Sequence, residues 1–371
     1  MSIVLTKCAV HMGKNEGNNI KILYCASTTS HLRNFHLPYI QLLSINGCKI
    51  TTLTNDGQSL PYAANSEIVK FTKKLWTPRN IKAIFEVKRL LINEGFSLVI
   101  TNTTLAGAVV RAAVILMKKQ RRPKVLHICH GFLFNDKDGM KKRLLLLPER
   151  ICAGITTGYV VMNRESEGIA IRNKLGKQII FTHGMGIDAT RFHVAKTTGE
   201  DFKFVYIAEF SERKNQSSLI RAFAGESGKM PYARLVLAGD GIKLDECKRL
   251  VYDLGIADRV DFPGYVNDVS YLLNGCDVAV STSRYEGLPF NIMEAMASGL
   301  PIIASDIAGH NDLLESDSLY KSVEELKNKL AMQYSRGKHR VEYPNIKRYS
   351  LEKVIYEWIE IFQELINIPL Y

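Results

Sequence analysis

Residues 277–306 read DVAVSTSRYEGLPFNIMEAMASGLPIIASD. An apolar, β-branched run leads into Ser281 to Ser283, a Gly-Leu-Pro turn follows Glu286, and a helical pattern begins near Phe290. A second apolar run opens at Pro301. Strand, loop, helix and strand in this order build a parallel sheet, so the fold class expected is α/β. The same alternation extends outward in both directions. KFVYIAEF (203–210), ARLVLAGDG (233–241) and RVDFPGYV (259–266) read as further strands, with helices beginning near Asn215, Leu244 and Val269. Upstream, strands are expected at KILYCAS, KITTLT, SLVITN, KVLHICHG, GYVVMN and QIIFTHGM. Helices between them fall near Leu37 to Ser44, Asn80 to Asn93, Ala106 to Lys119, Arg143 to Cys152 and Glu165 to Leu175.

Two such series in 371 residues exceed one hydrophobic core and predict two Rossmann-like domains. The polar, aperiodic stretch Asp188 to Asp201 is the expected linker. Residues 1–19 form a lead-in without the basic start and long apolar core of a signal peptide. The N-terminal domain is expected over 20–188 and the C-terminal domain over 189–349. Residues 350–371 carry an amphipathic helix, with Trp358 and Phe362 on one side, that returns to the first domain.

Composition is that of a soluble globular protein, with 46% apolar and 23% charged residues and no run long enough to span a bilayer. The seven cysteines are odd in number, scattered and never spaced as C-x-x-C, which argues against a disulfide framework or a zinc site and suits a cytoplasmic location. Charge is uneven: residues 1–190 carry +16 and residues 191–371 carry −4 of the net +12. The first half is therefore expected to meet something anionic, whether substrate phosphates or a membrane surface. Nucleic acid is disfavoured by the lack of interleaved aromatics. KDGMKKRLLLLPERI (137–151) joins a basic cluster to four leucines; the leucines are expected in the core and the basic cluster at an anionic membrane surface.

Ligands of open parallel sheets bind beyond the carboxyl ends of strands. In that position, Gly287, Leu288, Pro289, Phe290 and Asn291 offer backbone N–H groups and a helix start to a phosphate. Glu286 and Glu294 can accept paired hydrogen bonds from vicinal sugar hydroxyls. Arg213 and Lys214, where YIAEFSERKNQ enters a helix, can neutralise a diphosphate. An isolated pair of glutamates would read more simply as a solvated helix surface.

The surrounding string changes that reading. Glu286, seven residues, Glu294 and then Ala297 to Pro301 resemble the donor-site motif of retaining GT-B glycosyltransferases, glycosyltransferase family 4. HLRNFHLPYI, TNTTLAGAVVR, HICHGF and HGMGID resemble, less sharply, the branch of that family serving bacterial polysaccharide, capsule and cell-envelope synthesis. The resemblance covers about residues 20 to 365. It implies a GT-B fold, two Rossmann-like domains facing each other across a cleft, and a retaining transfer from a nucleotide-sugar, UDP-linked, without a protein nucleophile.

The implied acceptor is a saccharide or a saccharide linked to a lipid diphosphate, met in the cytoplasm or on the inner face of the membrane. By the same resemblance Glu294 holds the ribose, Glu286 contacts the transferred sugar, Lys214 holds the diphosphate and His130 approaches the donor sugar. Gly264, Tyr265 and Val266 approach the base. The family arginine before the lysine is replaced here by the segment Ala208, Glu209 and Phe210, so Glu209 is assigned to the sugar or acceptor. His31, Arg33, His36 and Arg111 are acceptor-side candidates. No cofactor and no metal is required by the resemblance, and Asp136-Lys137-Asp138 is read as a chance D-x-D string. The alternatives are a GT-B nucleotide-sugar epimerase and a catalytically silent glycosyltransferase-like scaffold, the latter kept open by Glu209.

Overall fold

The computed structural model describes residues 20–72, 77–132, 134, 139–194 and 199–366. The chain divides into two units, one running through Gly186 and resuming at Glu352, the other Ile187–Leu351. Each unit is an open sheet in which every strand pairing is parallel.

The first unit contains β1 (Lys21–Cys25), α1 (Thr29–Phe35), α2 (Leu37–Ile45), β2 (Lys49–Thr54), β3 (Asn65–Ile68), α3 (Pro78–Glu94), β4 (Leu98–Asn102) and α4 (Thr104–Ile115). It continues with β5 (Lys124–Ile128), α5 (Gly139–Cys152), β6 (Gly158–Val161), α6 (Arg164–Asn173) and β7 (Gln178–Phe181). The strand order is β3-β2-β1-β4-β5-β6-β7, so the direction of winding reverses between β1 and β4. The central strands are buried along their length, as continuous Val, Ile and Leu runs require when helices cover both faces. The expectation missed β3, whose sequence NSEI has no apolar run; it is an edge strand with no residue fully buried. It also missed the short α1, which Thr28 caps by accepting from the His31 N–H.

The second unit contains β8 (Phe202–Ile207), α7 (Gln216–Glu226), β9 (Ala233–Ala238), α8 (Leu244–Asp253), β10 (Val260–Gly264), α9 (Val269–Asn274) and β11 (Val278–Ser281). After these come α10 (Phe290–Ala297), β12 (Ile302–Ser305), α11 (Ala308–Asn311), β13 (Leu319–Tyr320) and α12 (Val323–Arg336). Its order is β10-β9-β8-β11-β12-β13, with the reversal between β8 and β11. Phe204, Phe223, Leu235, Leu237 and Val280 lie in one buried cluster between sheet and helices. Each such side chain contributes roughly 1.5–3 kcal/mol by leaving water.

The final helix, α13 (Leu351–Ile366), belongs to the first unit from Glu352 onward. Val354, Ile355, Trp358, Ile361, Phe362 and Leu365 recur at helical spacing and are buried. Trp358 stacks obliquely on Tyr39 and donates its indole N–H to the Gly184 carbonyl at 2.9 Å.

The leucine run differs from expectation. Successive helical residues are turned by about 100°, so four in a row cannot share one face. Leu146 is buried, Leu145 is intermediate, and Leu144 and Leu147 face solvent. Six cysteines are free and buried, and Cys8 lies outside the described residues, as does the Asp136-Lys137-Asp138 string. No described helix is long and apolar enough to cross a membrane.

Candidate functional site

In the second unit the strand order reverses between β8 and β11, so the loops leaving these two adjacent strands diverge at the position where open α/β sheets bind ligands. Those loops carry Arg213, Lys214 and Glu286, and they are tied together by backbone. The Arg284 N–H donates to the Arg213 carbonyl at 2.8 Å, and Thr282 Oγ1 donates to the carbonyls of Lys214 and Asn215. The Tyr206 hydroxyl, 3.0 Å from the Lys214 carbonyl and 2.9 Å from Ser283 Oγ, braces both loops from the core.

On this frame three charges converge. Lys214 Nζ lies 2.5 Å from Glu286 Oε1, and Arg213 donates to Oε2 at 2.6 Å. Ser283 Oγ adds a 2.7 Å bond to Oε1. Burial by itself would raise the Glu286 carboxyl, but Lys214 and Arg213 outweigh it and bring it down to about 2. Glu286 is thus an acceptor of hydrogen bonds throughout the physiological range. The trio carries one net positive charge.

Eight residues on, Glu294 sits inside the second turn of α10 and has the opposite character. Enclosure pushes its carboxyl up to about 7, against a weaker pull from Arg191. Two carboxylates of one loop and helix are therefore held in different protonation regimes. Between them, Gly287, Leu288 and Pro289 are buried and Phe290 and Asn291 are half-buried. Pro289 occupies the N-cap of α10, and no side chain caps that helix.

The loop is supported by residues that sequence reasoning did not single out. His310 is fully buried; its Nδ1–H donates to the Ser305 carbonyl at 2.7 Å, leaving Nε2 to accept from Ser281 Oγ at 3.2 Å. Its burial holds the imidazole near pKa 4, hence neutral. Ser305 Oγ in turn donates to the Ser283 carbonyl at 2.5 Å. Beside it, a Cβ on Gly309 would stand 2.5 Å from the Gly287 carbonyl and 2.9 Å from Glu286 Cβ, so only glycine lets α11 approach the Glu286 loop.

The remaining expected positions are more dispersed. The side chain of Glu209 is exposed and its carbonyl accepts from Gln216 Nε2 at 2.9 Å. Gly264 adopts φ 74°, and its carbonyl accepts the Gly239 N–H at 2.7 Å. Tyr265 is exposed and Val266 half-buried. In LAGDG, Gly241 lies at φ 147° with Phe210 O only 2.4 Å from where its Cβ would be, so the glycine is needed to seat that loop on the β8 exit.

In the first unit His130 follows β5 and meets two histidines from the segment after β1. Its Nε2 is 3.1 Å from His36 Nε2, and the His31 ring stands edge-on to it at 4.9 Å between centroids. Arg33 is exposed on α1. Arg111 corrects an expectation: it is fully buried and paired with Glu149 at 2.9 Å, with Nε–H on the Gly107 carbonyl. Such a pair ties α4 to α5 and leaves no surface for an acceptor.

Comparison with known proteins bears on what these groups do. The family described as Glycosyl transferases group 1 matches residues 188–342. EpsD of Bacillus subtilis, which bears a glycosyltransferase name, is 30% identical over 311 residues, covering 79% of this chain and 81% of EpsD. The UDP-Gal:alpha-D-GlcNAc-diphosphoundecaprenol alpha-1,3-galactosyltransferase of Escherichia coli is 27% identical over 255 residues, 64% of this chain and 65% of that protein. Among solved structures, sucrose-phosphate synthase of Thermosynechococcus elongatus superposes with a TM-score of 0.74 at 17% identity, covering 94% of this chain and all of that one; the likeness is one of fold.

Proposed function

The chain belongs to the group 1 glycosyl transferases and has the GT-B class of fold, and we propose that it is a retaining enzyme of the family 4 type. In this reading it moves a sugar from a UDP-sugar to a saccharide, or to a saccharide carried on a lipid diphosphate, in polysaccharide or cell-envelope glycan synthesis. The observation that carries it is the convergence of Lys214 and Arg213 on Glu286 beside the start of α10. The two cations would stabilise charge as it develops on the leaving diphosphate, together with the backbone of residues 287–291. Glu286, ionised and acceptor-only, suits a sugar hydroxyl; Glu294 suits the vicinal hydroxyls of the ribose. Gly264, Tyr265 and Val266 would border the base, Glu209 the sugar or acceptor, and His130 the sugar.

The reaction needs no protein nucleophile. The bond from the anomeric carbon to the diphosphate breaks, the acceptor oxygen bonds on the same face, and the acceptor proton passes to a phosphate oxygen. Both Glu286 oxygens are engaged, Oε1 by Lys214 and Ser283 and Oε2 by Arg213, and this pairing blunts the carboxylate as a nucleophile, in keeping with such a reaction.

Peripheral contact with an anionic membrane is part of the proposal. Met140, Leu144, Leu147 and Ile151 repeat at helical spacing along α5 and are 45–80% exposed, beside the exposed Arg143 and Arg150. A half-apolar, basic helix surface of this kind suits a lipid interface. Leu144→Glu with Leu147→Glu should abolish co-sedimentation with anionic vesicles; retained binding would remove this part of the reading.

The direct test is incubation with labelled UDP-sugars. UDP should be released only with acceptor, and Lys214→Ala should lose that release while keeping the wild-type circular dichroism spectrum. Recovery of an isomerised UDP-sugar would instead make the protein an epimerase, and an inert protein that binds acceptor would make it a scaffold.

A further inference from the structure

Three histidines at the carboxyl ends of β1 and β5 form a cluster that the proposed transfer does not use as a unit. His31 lies on α1, His36 joins α1 to α2, and His130 follows β5. One ring nitrogen from each lies within 4.8 Å of the others. His36 Nε2 and His130 Nε2 are 3.1 Å apart, and His31 Nε2 is buried with no hydrogen-bond partner. Nitrogens of two imidazoles on one tetrahedral metal ion, at about 2.0–2.1 Å each, stand roughly 3.3–3.4 Å apart, so the His36–His130 pair is already near that spacing.

We propose that His31, His36 and His130 bind a divalent transition-metal ion, with zinc as the best fit. Three neutral imidazole donors suit zinc and its neighbours, and exclude magnesium and calcium, which take oxygen ligands. No Asp, Glu or Cys among the described residues joins the cluster, so a fourth position stays open to water or to a hydroxyl of a bound molecule.

A second feature supports the site independently. Metal-bound histidines hold their other nitrogen to an oxygen that fixes the tautomer. His36 Nδ1 is 3.0 Å from the hydroxyl of Tyr24, which is fully buried. With a metal on Nε2, the His36 proton would sit on Nδ1 and donate to the Tyr24 oxygen. Without one, the His36–His130 contact is a hydrogen bond that occupies one N–H and one lone pair, and His31 Nε2 gains nothing from it. The unpartnered nitrogen distinguishes the two arrangements.

The assay is metal content, which does not depend on any sugar transfer. Full-length protein is stripped with chelator, dialysed against zinc and then against buffer, and analysed for bound metal. One zinc per chain is expected, and cobalt in its place should give the visible bands of a tetrahedral nitrogen and oxygen set without thiolate charge-transfer absorption. Tyr24→Phe, which keeps the packed ring, should weaken binding roughly 10- to 100-fold. His31→Gln with His130→Gln should remove it, with folding checked by circular dichroism. Wild-type protein that retains no stoichiometric zinc overturns the proposal. So does zinc that survives the double substitution, or cobalt spectra showing thiolate ligation. Loss of transfer with metal binding intact would count against the donor-site reading alone.

Discussion

Glu294→Gln offers the sharpest test of the candidate site, because it predicts a pH-dependent gain in stability together with a loss of donor binding. The carboxyl rises from its ordinary 4.5 to about 7 in the folded protein. The folded state therefore holds this proton more tightly than the unfolded chain, and wild-type stability is lost as pH rises through that window. At about 1.4 kcal/mol per tenfold in proton affinity, the cost is about 1 kcal/mol at pH 5 and approaches about 3 kcal/mol at pH 8. Glutamine carries no such cost. The variant should thus gain about 2 kcal/mol on the wild type between pH 5 and pH 8, which is about 4–8 °C in Tm for a unit of this size.

Binding should move the other way. If ribose hydroxyls donate to the carboxylate, only the ionised fraction of Glu294 is competent, roughly one-tenth at pH 6 and nine-tenths at pH 8. Wild-type affinity for a UDP-sugar, whose diphosphate diester does not titrate in this range, should rise about tenfold across that interval. The Gln variant should bind weakly at both. Thermal melts and calorimetry at the two pH values suffice. A stability difference that stays constant with pH, combined with wild-type donor affinity in the variant, would refute the assignment.

Three further substitutions have defined outcomes. Gly309→Ala should push the Glu286 loop aside and lower kcat/KM by about 100-fold, the order associated with a 1 Å misplacement, while the melting curve changes far less. Glu286 should stabilise the protein above its ordinary pKa and lose that contribution as pH falls from 4.5 toward 2, so Glu286→Gln should flatten the acid limb of a denaturation profile. Trp358→Ala should cost about 3–5 kcal/mol by opening a cavity under Tyr39, read by chemical denaturation.

Sequence made the central strands legible because their apolar runs are continuous. The Glu286–Glu294 spacing was legible because it is local. The convergence of Lys214 and Arg213 on Glu286 was only half legible: each motif could be read, but the residues lie more than 70 positions apart and meet because β8 and β11 are neighbours. Ser305 and His310 were invisible for a physical reason. Each is a single polar residue whose partner is supplied by another loop, and nothing in the adjacent sequence announces it. Arg111 was misread for the same reason, since its counter-charge, Glu149, comes from a different helix. Polar β3 carried no pattern to find.

The way the chain re-enters its first unit at Glu352 has a consequence for engineering. The two passages of chain at that boundary are stitched side by side: Ile187 N–H donates to the Tyr349 carbonyl at 3.0 Å, and Leu351 N–H donates to the Ile187 carbonyl at 2.8 Å. Topologically, residues 187–351 are an insert held in a host by a two-stranded neck. The insert has neighbouring ends and can be excised as one uninterrupted gene fragment, whereas the host needs its two pieces rejoined, for which a few residues bridging 186 to 352 suffice. Removing residues 352–366 would therefore strip the host of Trp358 and spare the insert.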